Sequence, residues 1–247
     1  MKSIDKMVKI LDTLVRMDGA RVSELSNHLD MPDSTVHSYL SVLKKHGFVH
    51  SDGDINRIGL KFLHYSGILL HENDVYSLIE PKVTTLARET EERAQFITEQ
   101  NGQGVYLFTD TVDEAAVQTD VRPGKFVDLH ATAAGKAILA HLPVERVEDI
   151  VSQHGLTSYT KHTITNFDSL VEELTDVRDQ GYAINDEERI LKQRAVGVPV
   201  LDSVDRPVGA LSVSGPAHRI DTQQIHENIS NYLLGTADEI ELNIQYN

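Results

Sequence analysis

The chain has 247 residues, 40% of them hydrophobic, no cysteine and a formal net charge of −15. That length suits two domains better than one, and the apolar share is enough for packed cores. The lack of cysteine excludes disulfides, thiolate metal sites, iron–sulfur clusters and a cysteine nucleophile. No apolar run approaches the ~20 residues of a membrane span. Met1 to Met17 alternates charged and apolar residues, unlike a signal peptide, so a cytoplasmic protein without a membrane partner is expected. The charge is unevenly placed. Residues 1–72 hold 9 basic and 9 acidic side chains, whereas the rest holds 14 and 29. A neutral head on an acidic body can approach DNA head first, and such a surface also suits solubility in concentrated salt.

In chain order, Ile4, Met7, Val8, Leu11, Leu14 and Val15 recur at helical spacing, and Asp18-Gly19 ends that helix. A short helix fits Val22 to Leu29, with Val22, Leu25 and Leu29 inward. Met31-Pro32 interrupts it, and Asp33 or Ser34 is placed to cap a third helix that runs to about His46. Its inward face is Val36, Tyr39, Leu40 and Leu43. Phe48 to His50 and Ile55 to Ile58 read as a hairpin around Ser51-Asp52-Gly53-Asp54. Leu60 to about Leu70 is an apolar helix, and Glu72-Asn73-Asp74 marks a boundary.

Beyond it, Val75 to Glu91 is helical, and Gln95–Thr98, Val105–Thr109 and Ala115–Thr119 read as strands. Thr132–Leu142 and Val144–His154 are helices broken at Pro143, and Phe167–Gln180 is a helix stopped by Gly181. Tyr182–Asn185, Ala195–Leu201 and Val208–Val213 are strands, and a helix from Asp221 to about Leu242 closes the chain. This order predicts an α+β body, an antiparallel sheet with helices around it.

Helix, tight turn, helix and hairpin is the order of a winged helix-turn-helix, whose second helix enters the major groove of DNA. The outward set on that helix is Ser34, Thr35, His37, Ser38, Ser41, Lys44 and Lys45. Short hydroxyls at its start can reach bases and phosphates, and the two lysines at its end suit phosphates. Arg21 and Arg57 are further phosphate candidates. The alternative is a three-helix unit with solvated faces that binds protein.

The stretch from Val22-Ser23-Glu24-Leu25 through Pro32–Leu40 to Leu43–Val49 resembles the DNA-binding domain of IclR-family regulators, as does Asn56-Arg57-Ile58-Gly59-Leu60. Leu129–Ala140, Gly181–Glu188, Val198–Asp202 and Gly209–Pro216 resemble that family's segments in the same order. The resemblance implies a winged head at 1–59, a linker helix at 60–73 and a GAF-like effector-binding and oligomerisation domain at 74–247. It implies a transcription regulator whose hold on double-stranded operator DNA is set by a small molecule and needs no cofactor. Asp33 and Ser38 stand where the family commonly has a basic residue and an arginine. That removes two phosphate anchors.

The family's effector positions fall on Ala133, Ala134, Asn185, Ala195, Ser212 and Ser214, with Ala116, Thr119 and Val127 as looser candidates. Small residues at a helix start let N–H groups approach an anion. Ser212 and Ser214, two apart on a strand, point to one face. Asn185 stands where an aspartate is common, which lessens repulsion of an anion, and Ala195 where a cysteine is common. A small organic or sugar acid of a catabolic pathway is the expected effector.

Other classes read less well. Glu187 and Glu188 are adjacent and read as a solvated loop, and no phosphate loop or nucleophile elbow appears, so an enzyme is not expected. Gly102-Gln103-Gly104 reads as a hairpin turn. A metal- or ligand-binding sensor without sequence-specific DNA binding is the alternative function. His46 and His50 are split by Gly47, and His130 reads as a structural histidine, with a ligand or metal role as its alternative. Paired half-sites need two heads, so a homodimer through Ile4–Val15 and Leu60–Leu70 is expected, with tetramers through the bodies as the family implies.

Overall fold

The computed structural model describes residues 2–71, 74–112 and 121–246. The chain divides into two compact units, 1–73 and 74–247.

In the first unit, α1 (Lys2–Arg16), α2 (Val22–Leu29) and α3 (Asp33–Lys45) precede a hairpin of β1 (Val49–Asp52) and β2 (Ile55–Ile58), and α4 (Lys61–His71) follows. Ile10, Leu14, Leu25, Val36, Leu40, Leu43 and Val49 form one core. The wing is tied to the α1–α2 connection. Backbone groups of Ala20 and Asn56 bond in both directions, and the buried Asn56 side chain donates again to the Ala20 carbonyl at 3.0 Å. The α1 stripe divides differently from expectation. Ile10 and Leu14 face the core, while Ile4, Val8 and Val15 are exposed. The apolar residues of α1 cover two faces of the helix, and the head is large enough to bury one. Asp33 is corrected too. Pro32 holds the N-cap position without a side-chain cap, and Asp33 sits in the first turn, where its charge still favours the helix dipole.

Among the described residues, the second unit is built on a six-stranded antiparallel sheet. Helix α5 (Asp74–Thr90) leads into β3 (Arg93–Gln100), β4 (Gln103–Asp110) and β5 (Phe126–Val127). A 3-10 turn (Leu129–Ala131) precedes α6 (Ala133–Ala140), α7 (Val144–His154) and α8 (Phe167–Gln180). Strands β6 (Ala183–Asp186), β7 (Gln193–Leu201) and β8 (Pro207–Pro216) follow. The chain closes with α9 (Thr222–Gln224), a π-helical segment (Ile225–Ile229) and α10 (Ser230–Tyr246). The strand order is β5-β4-β3-β8-β7-β6, so β3 and β8, far apart in sequence, are central neighbours.

Helices α5 and α10 pack on each other and on the sheet; α6 packs on β3, β6, β7 and β8, with α8 behind it. The expected strand at Ala115–Thr119 lies outside the described residues. The closing helix, expected as one piece, is interrupted by the π-helical segment.

Helix α6 is positioned with little tolerance. Thr132 caps it by accepting the Gly135 N–H at 3.1 Å. A Cβ on Gly135 would lie 2.1 Å from the Leu129 carbonyl oxygen, and one on Gly197 would lie 2.5 Å from the Ala134 nitrogen. Both neighbours are backbone and cannot rotate away, so only glycine lets β7 run directly beneath the helix start.

Candidate functional site

A small cavity, ≈ 50 Å³, lies between the sheet and the start of α6. Ala133 and Ala134 of α6, Asn185 of β6, Ala195 of β7 and Ser212 and Ser214 of β8 all line it. The sheet register explains the convergence, because Asn185 pairs with Ala195, which pairs with Ser214. Val127 is corrected. It is packed in the core with Leu129 and Ile138, paired to Gly104 on β4, and is not among the residues that line the cavity. Ala116 and Thr119 lie outside the described residues.

The cavity is rich in donors. The first turn of α6 leaves the Ala133 and Ala134 N–H groups without intrahelical acceptors, at the positive end of the helix dipole. Gln95, buried on β3, donates its side-chain N–H to the Ser214 hydroxyl at 2.9 Å and to the Ser212 hydroxyl at 3.4 Å. Each serine oxygen thus acts as acceptor toward Gln95, and its own proton stays available to an acceptor in the cavity. Asn185 is less free. It donates to the Ala131 carbonyl, and its oxygen accepts the Glu188 N–H at 3.2 Å. Its amide therefore fixes the turn before α6 to the end of β6.

Two further groups were not legible in the sequence. Arg189 lines the cavity with its guanidinium carbon 5.3 Å from the centre of the Tyr159 ring. Tyr159 donates to Asp128 at 2.6 Å, and burial, helped by that carboxylate, raises its hydroxyl pKa to about 12. Lys136, 1% exposed, bonds Glu173 and Glu188 at 2.6 Å each. Glu188 is itself buried, which corrects its reading as part of a solvated loop. Burial pushes its carboxyl above the usual range, against the opposing pull of Lys136. The signal for this triad was the apolar run around Lys136, which leaves its charge no route to water.

His130 is buried, with Nε2 3.1 Å from the Thr157 carbonyl oxygen. Burial holds its pKa below the ordinary value, so it sits neutral in the core. Among the described residues no group of three or more His, Asp or Glu side chains could hold a metal ion.

On the first unit, Ser34, His37, Ser38, Ser41, Lys44 and Lys45 are exposed on α3, and Thr35 is half-buried. The Ser38 and Ser41 hydroxyls each donate to the carbonyl one turn back, at 2.8 Å. Their oxygens remain free to accept from a base. Arg21 lies 3.9 Å from Glu24, and Arg57 bonds the carbonyl and the carboxylate of Asp18, so both arginines already have anionic partners.

Comparison with known proteins agrees with both parts. The IclR helix-turn-helix domain matches residues 3–53, and the C-terminal domain of bacterial IclR transcriptional regulators matches residues 68–242. The chain is 32% identical to the probable HTH-type transcriptional regulator ArcR of Halobacterium salinarum, over 98% of this chain and 94% of that protein. It is 31% identical to the HTH-type transcriptional repressor AllR of Klebsiella pneumoniae, over 89% and 81%. The crystal structure of Thermotoga maritima IclR superposes with a TM-score of 0.84 at 30% identity, covering all of both chains. An IclR homologue from Microbacterium hydrocarbonoxydans, complexed with 4-hydroxybenzoate, has the same fold, with a TM-score of 0.83 at 20% identity and 99% and 100% coverage. The ArcR and AllR relatives are transcription regulators by name. The chain belongs to the IclR family of DNA-binding transcription regulators, with a helix-turn-helix head and an α+β ligand-binding domain.

Proposed function

We propose that this regulator senses a small organic acid and that the cavity at the start of α6 is where the acid binds. One observation carries the reading. Two helix N–H groups and two serine hydroxyls, the latter bonded by the buried Gln95, line one cavity with donors. Such a set suits a carboxylate. A related protein of the same fold, complexed with 4-hydroxybenzoate, adds an acid as precedent. Isothermal titration with a panel of small acids tests the proposal, and binding of neutral or cationic compounds only would overturn it.

On DNA, α3 enters the major groove. Ser34, Thr35, His37, Ser38 and Ser41 face bases, and Lys44 and Lys45 meet phosphates. Arg21 and Arg57 contribute to phosphates if they leave Glu24 and Asp18. The working units are the head at 1–59, the linker at 60–73 and the sensing domain at 74–247.

Exposed Ile4, Val8 and Val15 on α1, and Leu63, Ile68 and Leu69 on α4, supply the apolar surface for pairing two heads. The resulting assembly is a homodimer, or a dimer of dimers through the bodies. No helix among the described residues is long and apolar enough to cross a membrane. Work on DNA would be done in the cytoplasm.

A further inference from the structure

We infer that Arg189 is the charge-bearing anchor of the cavity and that it restricts the effector to short monocarboxylates. The inference rests on reading the cavity as the effector site. Among the described residues that line it, Arg189 alone carries a formal charge. Its Nη1 is buried and has no hydrogen-bond partner among the described residues. A guanidinium N–H without an acceptor is costly, and a carboxylate bound against the guanidinium would supply one.

The rest of the side chain is held in place. Its guanidinium stacks on Tyr159, whose hydroxyl is fixed by Asp128. The turn that carries it is pinned at both ends. Glu187 and Lys192 adopt left-handed backbone, with φ of 60° and 63°. The Glu187 N–H bonds the Gln193 carbonyl at 3.0 Å, and the Lys192 N–H bonds the Glu187 carboxylate at 2.7 Å. Thr160 and Thr163 hold the carbonyl of Glu188, the residue before the arginine, at 3.2 and 2.6 Å. The arginine is therefore placed before ligand arrives, so little ordering is lost on binding.

Charge and size define the ligand class. One cation balances one carboxylate. A dianion would leave a second charge among neutral donors, and a neutral amide would leave the guanidinium without its counter-ion. The cavity is small, so a short acid fits it better than a bulky one.

Titration calorimetry on the full chain tests this with L-lactate, its neutral isostere lactamide and the dianion malonate. Wild type should bind lactate at least tenfold more tightly than either of the others. Arg189→Gln should weaken lactate roughly ten- to hundredfold, as expected for a lost charge-assisted bond, and should abolish the preference over lactamide. Arg189→Lys should restore part of that preference, since it keeps the charge and loses the planar fork. Arg206→Gln, at an exposed arginine paired with Asp202, should change nothing. Unliganded melting curves of the variants show whether the fold survives.

If wild type binds lactate and Arg189→Gln binds it equally, Arg189 is not the anchor, although the cavity would still sense acids. If malonate binds better than lactate, the one-charge rule is wrong. If lactamide binds and lactate does not, both this inference and the acid-sensing reading fall. Failure of all three compounds to bind also overturns the assignment of a short monocarboxylate.

Discussion

Replacing Lys136 by methionine should separate the buried triad from the rest of the sensing domain. The lysine is 1% exposed and is shared by Glu173 and Glu188, with side chains 32% and 8% exposed. Without it, Glu173 can turn to water, but Glu188 is left as a buried carboxylate whose other oxygen already has no hydrogen-bond partner among the described residues. Breaking a buried pair this way costs about 3–5 kcal/mol. For a domain of this size that lowers Tm by roughly 6–20 °C.

The loss should depend on pH. The Glu188 carboxyl already titrates above its ordinary value because of burial, and losing Lys136 raises it further. For an acid raised in the folded state, stability falls as pH rises through the folded value and is recovered when the group protonates. The variant's deficit should therefore be larger at about pH 8 than at about pH 5. Scanning calorimetry reads both effects. Lys136→Met/Glu188→Gln should recover more than half the deficit, because the orphaned charge is gone. A single variant melting within about 2 °C of wild type, or a double variant no better than the single, would refute the reasoning.

Gly197→Ala drives a Cβ against backbone at the start of α6 and should cost about 1–3 kcal/mol in stability. It should also weaken acid binding by more than tenfold, which calorimetry can check. Lys44→Gln and Lys45→Gln should weaken DNA binding alike on all sequences. Each should lower the slope of log affinity against log salt by about 0.9, as read in anisotropy titrations. Leu63→Glu with Leu69→Glu places charge on the exposed face of α4 and should convert a dimer to monomers by light scattering. A monomeric wild type would remove the basis of that prediction.

Much of the fold is legible in the sequence where punctuation and periodicity agree. Pro143 before α7 and Gly181 after α8 bound helices whose observed ends are the expected ones. Strand β5 is not legible, since two residues, Phe126 and Val127, show no alternation and, among the described residues, join the sheet through β4. The interrupted closing helix is hidden for a similar reason, because its pattern continues across the π-helical turn.

For the candidate site, Ala133, Ala134, Asn185, Ala195, Ser212 and Ser214 could be proposed from the family resemblance. Those defined by distant partners could not. Gln95 gains meaning from serines on β8, Arg189 from Tyr159, and Glu188 from a lysine on α6. An adjacent pair of glutamates looks solvated until the chain brings Lys136 beneath one of them. Val127 shows the converse. The family resemblance offers it as a looser pocket candidate, but its side chain joins the core.

The central claim is that an acid in the sensing domain changes how the head holds a specific DNA sequence. The direct test is an anisotropy titration of the full chain at fixed salt, on DNA selected for binding from a random pool, with and without L-lactate. The account predicts enrichment of one sequence, tighter binding to it than to scrambled DNA, and at least a tenfold change in affinity when the acid is added. Selection that enriches no sequence, or an affinity unmoved by an acid that calorimetry shows to be bound, would contradict it.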